Sequence, residues 1–449
     1  MTSPPASRAT PARRCAFSVV RRTFEAGAYT DRAFAVEAGR LDLDPRERGQ
    51  AKRLAYGTVQ RRLTLDHVIE GLAGRPPERL DPPVLAALRL GVYELAFSEA
   101  AGHAAVDQGV ELAKAAGAGS AAGLVNAVLR RAAREAPAIV AGLRDDTPER
   151  AAIRHSHPEW IARLWWDALG PEGARALMAA NNEPAETAVR VNTLRAEPEA
   201  VAADPELRAR PAREAEPAGA VELPEGLLLT AAVDVAGTDL FANGHVSPQS
   251  RASMAVARLL GPRPGERILD LCSAPGTKAT HVAALAGNEA HIVAVEANAN
   301  RAEELRDNAT RLGAALEIVV GDAREDHGGG YDRVLVDAPC TGLGTLRGRP
   351  DLRWRATEES ARELAALQRQ ILANAARAVR PGGTVVYSVC TIDPDEGERV
   401  VQSVPDLVPD DLQIDHPLWK HPHVPKHLLP MPHRNGTDGF FIARLRRPA

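Results

Sequence analysis

The chain has 449 residues, 45% hydrophobic and 25% charged, with a formal net charge of −4. That length and balance fit a globular protein of two or three domains with ample core. With no run of about 18 apolar residues, a membrane-spanning helix is excluded. The charge is uneven: residues 1–150 hold 22 Lys and Arg against 18 Asp and Glu, a balance of +4, and the remainder carries −8. A mildly basic N-terminal part is compatible with a polyanionic partner, although a solvated mixed surface is the plainer explanation. The segment after Met1 lacks an apolar leader, and the four cysteines are widely spaced. Reduced thiols in the cytoplasm are expected. No CxxC or His/Cys cluster is present, so no metal site is expected.

Residues 1–10 are small, polar and Pro-containing and read as disordered. From about Ala12 to Ala136 the pattern is helical. Val84, Leu88, Val92 and Leu95 share one helix face behind Pro82-Pro83, and Leu124, Val125, Val128 and Leu129 form a second stripe ending in Arg130, Arg131 and Arg134. An all-helical bundle over 12–136 follows. Residues 137–155 read as a polar connection, and His157 through Leu177 as a pair of short helices. Ala188–Asn192 resembles a strand. Glu197–Pro224 is rich in Pro, Ala, Arg and Glu, so 155–243 is read as a linker with a small α+β subdomain.

From residue 244 to 449 the rhythm becomes regular. Strands are predicted at 267–271, 291–296, 316–320, 332–337, 384–389 and 439–445. Helices are predicted at 250–260, 278–286, 299–312 and 358–379. This alternation predicts a doubly wound, Rossmann-like parallel sheet, which binds ligands beyond the carboxyl ends of its strands.

The unusual residues fall at those ends. The first strand runs into Asp270-Leu271-Cys272-Ser273-Ala274-Pro275-Gly276-Thr277-Lys278. Gly276 permits close backbone approach, and the helix N-terminus behind it favours an anionic group such as a carboxylate. Glu296 ends the second strand and suits two ribose hydroxyls; Asp322 follows the third and could accept from an adenine amine. Singly, each acid is more often a turn or helix cap. Together they predict an S-adenosylmethionine site, with a nicotinamide cofactor not excluded by this part alone.

Two further strand ends carry thiols: Asp337-Ala338-Pro339-Cys340 and Tyr387-Ser388-Val389-Cys390-Thr391. Cytosine is a poor nucleophile at carbon 5. Addition of a thiolate to carbon 6 creates an enamine-like centre able to attack a sulfonium methyl. That chemistry needs an activated sulfur, a group to hold the pyrimidine edge and a proton acceptor, and Asp337, Cys340 and Cys390 supply them. Cys15 reads as a small buried apolar residue, and Cys272 as either that or a neighbour of the cofactor.

These motifs closely resemble the RNA cytosine-C5 methyltransferases of the RsmB/Sun group, and Gly436-Thr-Asp-Gly-Phe-Phe-Ile-Ala-Arg444 resembles that family's last motif. The helical part resembles NusB through Gln50–Arg62, Leu88–Leu95 and Gly123–Arg131. The resemblance implies that Cys390 is the nucleophile, that Cys340 assists release, that Asp337 contacts the target base and that Lys278 lies near the reaction centre. It implies S-adenosylmethionine as methyl donor, bound by residues 272–276, Lys278, Glu296, Asp322 and Asp337, and 16S ribosomal RNA as partner. Arg130, Arg131, Arg347, Arg349 and Arg353 are candidate RNA contacts. This sequence departs from the family at Val389, where Thr or Ser commonly precedes the nucleophile, and at Ser247–Ser250, where relatives often carry Gln-Asp. Other classes weighed are the same chemistry on tRNA, a non-catalytic RNA-binding or ribosome-assembly protein, an antitermination factor with an appended enzyme, and a DNA methyltransferase. In the last of these the Pro-Cys thiol would attack and Cys390 would have little reason to exist.

Overall fold

A computed structural model describes residues 8–98, 102–214 and 219–449. Most of the segment expected to be disordered, residues 1–7, lies outside them. So do 99–101 of the expected bundle and 215–218 of the weakly patterned stretch. The chain divides into two compact units: residues 1–183 together with 346–355, and 184–345 together with 356–449. The stretch expected to form one subdomain at 155–243 is divided, with helix Glu159–Ala180 in the first unit and its strands and the short helices Pro198–Ala202 and Asp239–Ala242 in the second.

In the first unit, helices Pro11–Glu25, Thr30–Arg40, Pro45–Gln60, Arg62–Ala73, Pro82–Phe97, Gly102–Ala115 and Ala122–Ala141 pack around one core. Val84, Leu88 and Val92 are buried as the spacing predicts, with Val125, Val128 and Leu129 opposite. Leu129 lies so close to two neighbouring helices that a Cβ at Gly91 or Gly109 would come within 2.7 or 2.4 Å of it. The expected connection at 137–155 is mostly helical instead. The seventh helix runs through Pro137 to Ala141 because Ile139 and Val140 pack against the core, which outweighs the missing amide hydrogen bond. Thr147 caps a further helix, Pro148–His155, by accepting from the Arg150 amide. Glu159–Ala180 is broken at Gly170, where φ is 74°, giving the expected helix pair.

The second unit holds two sheets. Strands β1 (Ala188–Val191), β2 (Ala209–Pro211), β3 (Gly226–Leu229) and β4 (Val246–Pro248) form an antiparallel sheet in the order β2-β3-β1-β4. The larger sheet contains β5 (Arg267–Asp270), β6 (His291–Glu296), β7 (Glu317–Val320), β8 (Tyr331–Asp337), β9 (Val379–Val389), β10 (Val408–Pro409) and β11 (Phe441–Arg446). Its order is β10-β11-β9-β8-β5-β6-β7, with β9, β8, β5, β6 and β7 mutually parallel. The predicted strands and helices of 244–449 are all present. The departure is β11, which runs antiparallel to β9 with Phe441 opposite Val389. No long helix separates these two strands, so the chain returns without a crossover and reverses direction. Central strands are buried on both faces, as at Leu269, Val334–Val336 and Val385–Tyr387, the pattern of a sheet covered by helices.

Candidate active site

All three motifs meet at the carboxyl ends of β5, β6, β8 and β9. After β5 the chain turns through Gly276, whose φ of 99° caps helix Thr277–Leu285. A Cβ there would lie 2.6 Å from Leu305 Cδ1, so glycine is required by both conformation and packing. Asp270 is buried, and one of its carboxylate oxygens has no hydrogen-bond partner. Burial, reinforced by the charge of Asp337, pushes its carboxyl up to about 7. Glu296 ends β6 almost fully buried; it accepts from the Asn298 amide at 3.0 Å and lies 3.8 Å from Arg301. Arg301 also donates to the Ala274 carbonyl at 2.7 Å, fixing the turn that contains Ser273 and Pro275. Cys272 is half-buried, and burial followed by the charges of Asp270 and Asp337 raises its thiol well above the ordinary range.

Asp322 differs from its neighbours. It is paired with Arg324 at 2.5 Å in a local turn, and that hydrogen bond lowers its carboxyl to about 2. A nucleoside there would share the carboxylate with Arg324.

Lys278, the second residue of that helix, donates from Nζ to Asp337 Oδ2 at 2.7 Å and stands 5.2 Å from the centre of the Phe440 ring. Burial works against its ammonium, but the charge and hydrogen bond of Asp337 outweigh burial and hold its pKa above the ordinary value. Asp337 Oδ1 accepts from Ser388 Oγ at 2.8 Å. The thiols of Cys340 and Cys390 lie 3.4 Å apart, Sγ to Sγ. The hydrogen bond to Cys390 and burial raise the Cys340 thiol well above its ordinary value, with further contributions from the charges around it.

Sequence reasoning missed the support beneath the thiols. Glu396 is fully buried and accepts from the Thr341 amide at 2.9 Å, from Thr341 Oγ1 and from Gln368 Nε2 at 2.9 Å. The short spacing from Cys390 was the only available signal for it. Ser388 and Phe440 lie within the strand-end motifs, and only the fold reveals their contacts with Asp337 and Lys278.

Arg353 is a correction. It was a candidate RNA contact, yet it is 0% exposed. Within the first unit its guanidinium donates to the carbonyls of Gln60, Ser156, Asn181 and Leu346 and to the Asn182 side chain. A positive charge in sequence does not reveal whether it faces solvent or a ring of carbonyls. Arg131 is also committed in part, donating to the Leu72 carbonyl at the end of another helix at 2.7 Å and pairing with Glu135. Arg130 and Arg349 are exposed, and Arg347 is half-buried. Among the described residues, no group of three His, Cys, Asp or Glu is arranged to hold a metal ion, and no helix is long and apolar enough to cross a membrane.

A parallel sheet of this order, with a glycine turn after β5 and an acid after β6, defines a Rossmann-like methyltransferase domain. Residues 257–446 match the family described as 16S rRNA methyltransferase RsmB/F. Residues 10–134 match the NusB family, and 157–236 match the ferredoxin-like domain of RsmF/B-like methyltransferases. A probable ribosomal RNA small subunit methyltransferase B of Bacillus subtilis is 35% identical over 425 residues, covering 90% of this chain and 92% of that protein. The crystal structure of PH0851 superposes with a TM-score of 0.82 at 26% identity and covers 99% of both chains. NSun6 from Pyrococcus horikoshii with SFG gives a TM-score of 0.57 at 25% identity, covering 65% of this chain and 98% of that one. The chain belongs to the RsmB/Sun family of ribosomal RNA methyltransferases, whose methyl donor is S-adenosylmethionine.

Proposed function

We propose that the protein methylates carbon 5 of a cytosine in 16S ribosomal RNA through a covalent adduct between Cys390 and carbon 6 of the base. The observation that carries this is the pair of thiols, 3.4 Å apart, on the same strand ends as the Lys278–Asp337 ion pair. One thiol suffices for a buried filler; two in contact beside an ammonium suit addition and elimination.

S-adenosylmethionine, when bound, supplies an electrophilic methyl group. The residues fit it: the unpartnered Asp270 oxygen and the helix N-terminus at Gly276 offer an acceptor and amide donors for a zwitterionic amino acid, and Glu296 offers acceptors for ribose hydroxyls. Cys390 attacks carbon 6 as the thiolate, favoured by the Lys278 ammonium. The electron pair displaced to carbon 5 would take the sulfonium methyl, the carbon–sulfur bonding pair staying on the donor sulfur, which would leave as a neutral thioether. The carbon-5 proton then passes to a base, and its bonding pair restores the ring double bond as the Cys390 thiolate leaves. Cys340 acts at this later stage, and Asp337, oriented by Ser388 and Lys278, holds the pyrimidine edge.

A denaturing gel of the protein with RNA and S-adenosylmethionine tests the assignment. Cys390→Ala should abolish methylation and any adduct; Cys340→Ala should accumulate a covalent protein–RNA species. An adduct trapped by Cys390→Ala and not by Cys340→Ala would make the Pro-Cys thiol the nucleophile, as in DNA cytosine methyltransferases. Calorimetry with Glu296→Ala tests the donor half: loss of a charged hydrogen bond costs about 1.5–3 kcal/mol, and unchanged affinity removes Glu296 from the site.

A further inference from the structure

Side-chain hydrogen bonds tie the two cysteine loops together in addition to their backbone. Thr341 follows Cys340, Thr391 follows Cys390, and their hydroxyls are 2.9 Å apart. Beneath them Glu396, 0% exposed, collects the Thr341 amide, the Thr341 hydroxyl and the Gln368 side-chain amide. Gln368 also donates to the Pro339 carbonyl at 2.8 Å, so both neighbours of Cys340 are tied to one buried centre. The Tyr387 hydroxyl donates to the Glu396 carbonyl at 2.5 Å, anchoring the same residue to β9 just before Cys390. The Gly344 amide donates to the Cys390 carbonyl at 2.9 Å. Three donors converge on the carboxylate of Glu396, an arrangement that satisfies the ionised form. Such a network is costly to bury unless it is complete.

We propose that Glu396 is a positioning residue that sets the separation of the two thiols, so that the Cys340 S–H donates to the sulfur of Cys390 as that sulfur departs from the base. The proposal rests on the covalent reading above and adds a residue to its last stage. As the sulfur–carbon-6 bond breaks, its electron pair returns to Cys390, and the hydrogen bond from Cys340 stabilises the resulting thiolate without net proton transfer. Cys340 must remain a thiol to do this. Its contact with Cys390, its burial and the nearby charge of Glu396 all favour the protonated form. Glu396 thus acts through Cys340.

The test uses the full-length protein with 16S ribosomal RNA transcript and S-adenosylmethionine. Glu396→Gln should leave donor affinity by calorimetry within about twofold of the parent, because the donor turn is untouched. Adduct breakdown should slow by about 10- to 100-fold, the cost of a displaced catalytic group. A protein–RNA species should therefore accumulate on a denaturing gel, as for Cys340→Ala, and the double variant should be no slower than the slower single one. Thr341→Val, which removes only the hydroxyl link, should shift breakdown in the same direction and decides the matter if Glu396→Gln does not fold. The proposal is overturned if these variants release product at the parental rate. It is overturned equally if donor affinity, methyl transfer and adduct fall together, as a general loss of structure would produce. Adduct with Cys340→Ala and none with Glu396→Gln sinks the positioning role alone; no adduct with Cys340→Ala sinks the assignment of Cys390 as nucleophile on which it rests.

Discussion

Asp270 carries an energetic conflict at the heart of the site. Its carboxyl is buried, lies near Asp337 and has an unpartnered oxygen. A carboxyl with a folded pKa of about 7 against an ordinary 3.8 binds more protons folded than unfolded between those values, so stability falls as pH rises through that window. Asp270→Asn should therefore stabilise the donor-free protein at about pH 8 by a few kcal/mol, and the gain should vanish towards about pH 4. Urea unfolding at both pH values measures it, and an equal gain at the two ends would show that charge is not the cause. The same substitution should weaken donor binding, since sites for charged ligands hold such strain. At this scale the sequence displayed Asp270, Glu296 and both thiols because parallel strands end abruptly in turn residues. Glu396 stayed hidden because a buried carboxylate between Pro394 and Gly397 looks like any solvated turn, and only the fold supplies its three donors.

The element that most constrains the site is the turn between β5 and its helix. Gly276 combines a φ of 99° with a Cβ position 2.6 Å from Leu305. Gly276→Ala should cost about 1–3 kcal/mol from backbone conformation alone, with more from displacing helix Ala299–Leu312, on which Leu305 sits. Thermal melts and donor titration should show both stability and affinity reduced; unchanged affinity would mean the turn does not form the donor site. Strands β5, β6, β8 and β9 were legible as near-continuous apolar runs, and Ala299–Leu312 from its spacing. Of the small antiparallel sheet only β1 was legible: β2 and β4 are three residues each and contain proline, so they offer no measurable alternation. Its position is fixed by pairing with β1 and β3 rather than by its own pattern.

At the scale of the whole molecule, the first unit is assembled from two separate stretches of chain. Arg353 fills a ring of carbonyls from Gln60, Ser156 and Asn181, and Trp354 donates to Val59 at 2.8 Å. A fragment ending at Glu183 should be stabilised by a synthetic peptide of residues 346–355, with a melting temperature that rises with peptide concentration. A peptide carrying Arg353→Ala should have little effect, and equal stabilisation by both would remove Arg353 as the anchor. RNA affinity offers a second test. If Arg130 and Arg349 contact phosphates, charge reversal at both should weaken binding and flatten its salt dependence by roughly one unit of slope per contact; an unchanged slope places the RNA elsewhere. Nothing in sequence announced the split unit, because a basic strip reads alike whether it meets phosphate or carbonyl. Its consequence reaches back to the ribosome. Residues 1–183 emerge long before their missing piece, and at roughly 5–20 residues per second the wait is about 10–30 s. During that interval the carbonyls of Gln60, Ser156 and Asn181 must be met by water, so the nascent helical unit reaches its final state only after the Cys340 loop has been translated.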